Sequence, residues 1–400
     1  VSALCGVVGD ADPAVIDAML RAAARGRLVR RAVPGLQLAV VDGDLHADAT
    51  AITALVGELA PRTPSPALRA AETPDDLDGA FAAASWDGAR LRLWVDPFGA
   101  RALYWTHHRG AAYFATSLAM LLAVPGLPIT PDLAAVHRYL TFSFVPGDEL
   151  PIAGVRRVMP GQRVTITATS ASSAPWFTLR EAPRPVELRE AAAALDHAGR
   201  AAVARRLPPT PVGLYLSGGL DSSAVGAWLT DLGAQAQAFT LDFGEQSVEL
   251  DVAVEVAQHL GLPITPVRAD AAAVDGVFDD MVRHLELPFG DAVTGPQALL
   301  ARAARATGLS AVFNGEGGDQ LFGGWTNKPM VAAALYGRED DDPADAYLKS
   351  FHKFYGLESR LYGPGMATVS GNRRALIAAH LGGDAASFLH RVRLTDLHLK

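Results

Sequence analysis

The seven residues Ser217-Gly218-Gly219-Leu220-Asp221-Ser222-Ser223 constrain this chain more than any other stretch. An apolar segment of strand length, Val212 to Leu216, precedes them. Ala224-Val225-Gly226-Ala227-Trp228-Leu229 follows as a helix opening. Strand, glycine-rich turn and helix N-terminus in that order make an anion site. Glycine lets the backbone approach a phosphate and adopt positive φ. Free N–H groups at the helix start, with the hydroxyls of Ser217, Ser222 and Ser223, supply donors. Asp221 does not belong in a pure anion cradle, but its carboxylate fits if Mg²⁺ sits between it and the phosphates. No Gly-Lys-Ser/Thr follows, so the turn is not a Walker A loop.

The chain around this loop alternates. A long Ala-rich helix (Leu188 to Arg206) leads into the loop's strand. After the loop helix come a strand from Ala238 to Phe243, a helix from Glu249 to Leu260 and a strand from Ile264 to Val267. Another helix precedes the strand Ala311-Val312-Phe313. Such alternation predicts a doubly wound parallel sheet, with ligands at the carboxyl ends of its strands. Ser217, Asp242 and Asn314 all fall there.

The first half of the chain has a different grammar. Ala3 to Gly9 and Leu36 to Val41 read as strands, the latter closed by the turn Asp42-Gly43-Asp44. Helices are predicted from Ala14 to Arg25 and from about Thr50 to Leu59. Pro61 to Pro74 reads as a connection. Asp78 to Trp86, Leu91 to Val95 and Ala112 to Ala115 read as successive strands in antiparallel β-rich material. Thr167 to Pro175 and Pro183 to Pro185 read as linker, placing a domain boundary near residue 185. The predicted organisation is therefore α/β throughout: a β-rich domain over 1–185 and a doubly wound domain over 186–400.

Composition bounds the function. Four hundred residues suit two domains. The net charge of −8, from 35 basic and 43 acidic side chains, argues against a broad nucleic-acid surface. One cysteine excludes an internal disulfide framework and fits a reducing cytoplasm. No apolar run is long enough to span a bilayer. The acidic run Glu339 to Asp342 reads as a solvated loop.

A second glycine-rich stretch, Asn314-Gly315-Glu316-Gly317-Gly318-Asp319-Gln320-Leu321-Phe322-Gly323-Gly324-Trp325, follows the Val312-Phe313 strand. Asp319 could share a metal ion with Asp221 from a neighbouring strand. Two carboxylates with phosphate oxygens and waters are a usual Mg²⁺ environment.

The Ser-Gly-Gly-Leu-Asp-Ser-Ser loop resembles the pyrophosphate loop of ATP pyrophosphatases. Together with the second stretch it resembles the synthetase domain of the glutamine-dependent asparagine synthetase family. Asp96-Pro97-Phe98-Gly99-Ala100-Arg101-Ala102-Leu103-Tyr104-Trp105, Phe114-Ala115-Thr116-Ser117, Tyr139-Leu140-Thr141-Phe142, Val145-Pro146-Gly147 and Met159-Pro160-Gly161 extend the likeness. The resemblance implies an N-terminal class II glutaminase (Ntn-type) domain that releases ammonia from glutamine. It also implies a C-terminal ATP-pyrophosphatase domain that adenylates a carboxylate such as aspartate, the nitrogen then displacing AMP. It implies ATP contacts from Tyr215, Ser217, Gly218, Gly219, Asp221, Ser222, Ser223, Leu241, Asn314 and Gly315. Mg²⁺ would be held by Asp221 and Asp319. Cys5 would be the glutaminase nucleophile, with Asp42, Gly43 and Asp78 binding glutamine. The implied setting is cytoplasmic, with small-molecule partners, no nucleic acid or membrane, and a homodimer as the candidate assembly.

The sequence departs from the family at several points. Four residues precede Cys5, which in the family begins the mature chain. Asp42-Gly43-Asp44 stands for its Asn-Gly-Glu turn. Asn314, Gln320 and Trp325 replace Ser, Glu and Tyr. The resemblance implies further synthetase residues beyond Lys400, so the doubly wound domain is read as C-terminally incomplete. Two alternatives follow. One is an intramolecular amide ligase like β-lactam synthetases or lasso-peptide cyclases, with an inactive glutaminase. The other is a non-catalytic, truncated nucleotide-binding chain.

Overall fold

The computed structural model describes residues 2–23, 26–47, 51–59, 78–178, 184–244, 247, 249–288, 292–322 and 356–369. The expectations for Arg25, the Pro61 to Pro74 connection, Gly323 to Trp325, Glu339 to Asp342 and the chain end at Lys400 lie outside them. Contacts divide the chain into two units. One is Val1–Arg180 with Glu286–Phe289 and Asn327–Lys400; the other is Glu181–Leu285 with Gly290–Thr326.

The first unit is built on two six-stranded antiparallel sheets. One has the order β10-β8-β9-β1-β3-β2, from β1 (Ala3–Val8), β2 (Leu28–Val33), β3 (Leu36–Val41), β8 (Tyr104–His108), β9 (Ala111–Ala115) and β10 (Val155–Arg157). The other has the order β12-β11-β7-β6-β5-β4, from β4 (Asp44–Ala47), β5 (Ile52–Leu59), β6 (Gly79–Trp86), β7 (Leu91–Val95), β11 (Gln162–Ile166) and β12 (Ala171–Pro175). Leu4, Leu38, Val40 and Phe114 from the first sheet pack with Ile52, Val56, Ala84, Leu93 and Val164 from the second, so the sheets stack face to face. The opposite face of the first sheet packs under helices α1 (Ala14–Arg21) and α2 (Leu118–Leu122) through Cys5, Val7, Ile16, Met19 and Leu121. Helix α3 (Leu133–Phe142) starts at Asp132, whose carboxylate accepts from Ala135 N–H at 2.9 Å as an N-cap.

Three expectations are corrected here. The helix predicted from Thr50 to Leu59 is strand β5. Its residues Ile52 to Val56 are buried on both faces, and such a run carries no periodicity to separate strand from helix. The β-branched Ile52, Thr53 and Val56 favour the strand. The helix expected to reach Arg25 ends at Arg21. Part of the predicted linker is edge strand β12, which pairs with β11 while keeping all its residues exposed, so no apolar pattern marks it. Strands β2, β4, β8, β10 and β11 have no counterpart in the sequence reading; β2 is exposed over Leu28, Arg30, Arg31 and Ala32, so it too lacks a buried apolar pattern.

The motif at Asp96 is structural. Its buried carboxylate accepts from the backbone N–H groups of Phe81, Phe98, Ala100 and Arg101 at 3.0 to 3.2 Å. Burial pushes Asp96 above the usual carboxylate range, against the four donors that favour its charged form.

The second unit carries the parallel sheet. Its order is β15-β14-β13-β16, from β13 (Val212–Tyr215), β14 (Ala236–Asp242), β15 (Ile264–Arg268) and β16 (Val312–Phe313). Helices α4 (Leu188–Arg206), α5 (Leu220–Asp231), α6 (Leu250–Leu260), α7 (Ala271–His284) and α8 (Thr294–Ala306) alternate with the strands, and α9 (Gly318–Phe322) follows β16. Leu214, Leu216, Ala238, Leu229, Ala253 and Ala257 form the core on the face toward α5 and α6. Phe239, Leu300 and Ala304 form it on the face toward α8. The doubly wound sheet stands as predicted. The chain runs from β13 outward through β14 to β15, then returns to the other side of β13 as β16. The topological switch point therefore lies between β13 and β16, where open α/β sheets bind ligands.

Candidate functional site

At that switch point the turn after β13 and the turn after β16 meet. Gly219 is the extended N-cap of α5. Ser217 N–H donates to Ser222 Oγ at 3.2 Å, and Gly219 N–H donates to Ser217 Oγ at 3.2 Å. The Ser217 and Ser222 hydroxyls lie 3.1 Å apart, and Ser222 Oγ donates to the Gly219 carbonyl at 3.2 Å. The loop is thus a small self-bonded ring at a helix N-terminus. Ser223 Oγ is buried with no hydrogen-bond partner, a donor not yet used.

Gly218 has φ +78°, and a methyl group there would come within 2.8 Å of the Ala253 nitrogen in α6. Both facts require glycine. Gly218→Ala is therefore expected to destabilise the second unit by about 2 kcal/mol, from left-handed strain alone about 1–2, and thermal melting would read this as a lowered midpoint. At Gly219 a methyl would meet only Ser217 Oγ, at 3.3 Å. Gly219→Ala is expected to melt close to wild type.

The second turn backs directly onto the first. A methyl on Gly315 would lie 2.7 Å from the Ser222 nitrogen, and one on Gly318 would lie 2.3 Å from Asp221 Cγ. The Asp221 carboxylate thus rests against the Gly318 backbone, one residue from Asp319. Burial, and then the like charge of Asp319, push Asp221 above the usual carboxylate range. Within the turn, Asn314 Oδ1 accepts from Glu316 N–H at 3.1 Å.

Tyr215 and Leu241 pack on the α8 face of the sheet, at the ends of adjacent strands. Burial pushes the Tyr215 phenol up. Glu316 was not among the expected site residues; its carboxylate accepts from Gln297 Nε2 in α8 at 3.0 Å. Its place between Gly315 and Gly317 was the available signal.

The expected glutaminase residues are placed differently. Cys5 is fully buried in the middle of β1, paired with Ala39 of β3 on one side and Ala115 of β9 on the other. Burial pushes its thiol up to about 12. Leu4, also fully buried, belongs to the core between the sheets, and its N–H donates to Thr116 Oγ1 at 2.9 Å. Asp42 turns at φ +47°, and its Oδ1 accepts from Arg27 N–H at 2.7 Å. Gly43 is packed against the Leu55 carbonyl and Val40. Asp78 precedes β6 in the other sheet.

Among the described residues, no group of three or more His, Cys, Asp or Glu side chains is arranged to hold a metal ion, and no helix is long and apolar enough to cross a membrane.

Comparison with known proteins finds two matching families. Residues 194–388 match the asparagine synthase family, and residues 69–177 match the glutamine amidotransferase domain family. A glutamine-hydrolysing asparagine synthetase of Bacillus subtilis (strain 168) is 28% identical over 265 residues, covering 64% of this chain and 41% of that protein. A putative asparagine synthetase of Mycobacterium tuberculosis (strain H37Rv) is 30% identical over 262 residues, covering 62% and 40%. The amidase chyE of Penicillium rubens is 30% identical over 282 residues, also covering 62% and 40%. The chain spans about two fifths of the length of the curated relatives it matches. The amidotransferase match falls on strands β6 to β12 of the antiparallel sandwich and the asparagine synthase match spans the parallel sheet, so the chain is similar to both families.

Proposed function

We propose that this chain is a C–N ligase of the asparagine synthetase type, which activates a carboxylate with ATP and passes it to a nitrogen nucleophile. The observation that carries the reading is the approach of Gly318 to Asp221, because it brings the Asp319-bearing turn onto the phosphate-type loop that carries Asp221. A pair of carboxylates repelling each other at a helix N-terminus is a poor anion site alone and a good one once a divalent cation is shared. Asp221 and Asp319 would supply two carboxylate ligands to a Mg²⁺ ion shared with the phosphates. When bound, Mg²⁺ would neutralise charge growing on the departing pyrophosphate.

The remaining roles belong to the chain. Gly218, Gly219, Ser222 and Ser223 hold the β and γ phosphates through N–H and hydroxyl donors. Tyr215, Leu241, Asn314 and Gly315 hold the nucleoside. A substrate carboxylate oxygen attacks the α phosphorus, the bond to the bridging oxygen breaks, and pyrophosphate leaves. A nitrogen nucleophile then attacks the acyl carbon, AMP departs with the electron pair, and the proton from nitrogen passes to water. Holding both partners in place supplies the orientation term.

For the nitrogen source, ammonia or an amine on the substrate is favoured over glutamine. The observation behind this is the interior position of Cys5 together with the engagement of Asp42 by Arg27 N–H. The test follows pyrophosphate release with ATP, ammonium and candidate carboxylates. Release that requires aspartate supports the asparagine synthetase reading. Release that ignores aspartate but answers to a β-amino acid or a peptide supports an internal amine acceptor. No release with nucleotide still bound would falsify the ligase and leave a binding chain.

A further inference from the structure

Asp242 ends β14, the strand beside the phosphate-type loop. In the register of the pair, Tyr215 lies opposite Phe239, and Leu216 N–H donates to the Phe239 carbonyl at 2.9 Å. Asp242, three residues beyond Phe239, is the last residue of β14, and the loop at Ser217 opens directly after Leu216 on the neighbouring chain segment. Alternation along β14 puts Asp242 on the face of Ala238, which packs toward α5 and α6. That is the face from which α5 presents its N-terminus to the loop.

The carboxylate is held firmly. Its Oδ1 accepts from Gly244 N–H at 2.8 Å and Ser247 Oγ at 3.4 Å. Its Oδ2 lies 3.5 Å from Arg268 Nη1, and Arg268 is itself anchored by Asp270 at 2.9 Å. A carboxylate oxygen has two acceptor positions, and the long Arg268 contact leaves Oδ2 room for a second donor. The side chain stays 26% exposed, so a ligand can reach it.

We infer that Asp242 is the acceptor for the ribose hydroxyls of the nucleotide, a specificity-determining contact. The physical logic is that of the dinucleotide-binding strand–turn–helix–strand unit, which binds phosphates at its first turn. The sugar follows the phosphates toward the end of the next strand, where an acidic side chain accepts from its hydroxyls. Gly244 N–H and Ser247 Oγ fix Oδ1, and Arg268 steadies Oδ2. Little side-chain ordering remains to be done on binding. The inference rests on the nucleotide reading of the loop given above.

The experiment measures equilibrium binding of ATP, 2′-deoxy-ATP, 3′-deoxy-ATP and 2′,3′-dideoxy-ATP to the full chain with Mg²⁺. Loss of a hydrogen bond to a charged acceptor predicts that the dideoxy nucleotide binds about tenfold or more weakly than ATP. Asp242→Ala should weaken ATP by the same factor and bind all four nucleotides alike. Asp242→Asn keeps an acceptor for Gly244 N–H and should show reduced discrimination with an unchanged melting midpoint. It decides the question if the alanine variant does not fold. Wild-type affinities for ATP and the dideoxy nucleotide within twofold would overturn the inference while leaving the phosphate site standing. Equal weakening of all four nucleotides by Asp242→Asn would overturn it too, by making Asp242 a loop brace alone. Absence of any ATP binding would overturn both this and the nucleotide reading.

Discussion

Asp221→Asn and Asp319→Asn are each expected to lower pyrophosphate release about a hundredfold or more, the consequence of losing a cation interaction worth several kcal/mol in the transition state. Apo stability should move the other way. Asp221 is raised in the fold by burial and by the charge of Asp319. A carboxyl raised in the folded state contributes stability at low pH, and that contribution is lost as pH rises through its folded value. At neutral pH the repulsion is therefore fully present, and the asparagine variant removes it. The apo variant should melt at or above the wild-type midpoint at pH 7.5. Wild type should gain more from Mg²⁺ with ATP than either variant does. Wild-type turnover in Asp221→Asn would remove the carboxylate pair from the mechanism.

Glutamine is expected not to replace ammonium as nitrogen source, and Cys5→Ala is expected to leave ammonium-driven turnover within about twofold of wild type. A thiol pushed up to about 12 leaves fewer than about one in ten thousand ionised at neutral pH, and the thiolate is the nucleophile. Freeing the Cys5 α-amino group would not be a small step. Cleavage after Leu4 would remove a fully buried side chain from the core between the two sheets. Loss of such a leucine side chain typically costs about 2–5 kcal/mol. The raised thiol also sets an alkaline limit. Its contribution to stability is complete below the unfolded value of 9.0 and is lost as pH climbs toward about 12. Cys5→Ala should flatten that part of the stability profile, followed by melting at stepped pH. Glutamine hydrolysis that disappears in Cys5→Ala would reverse the assignment of the first unit.

The parallel sheet was legible because its signals are local. Val212 to Leu216, the glycines and serines after it, and the alternation with helices on both sides all point to one architecture. The antiparallel half was legible only where strands are apolar. Exposed strands such as β2 and β12 lie at sheet edges with no buried apolar face to mark them, although each pairs with its neighbour in sequence. Strand β5 misled for the opposite reason: buried on both faces, it shows neither period. Glu316 was overlooked because its significance depends on Gln297, a residue in another element.

What the amino-acid order settled alone is the chemistry on offer: a hydroxyl- and glycine-rich turn at a helix start, two carboxylates in separate turns, one cysteine. Those follow from residue type and spacing, which do not depend on distant partners. Only the tertiary structure decided which of these groups share a site. Parallel pairing on both sides of β13 brings Gly318 onto Asp221. Antiparallel pairing on both sides of β1 encloses Cys5 instead. The same strand-forming tendency produced both outcomes; the side on which the next strand added, and how deeply it was covered, separated a candidate active site from a core residue.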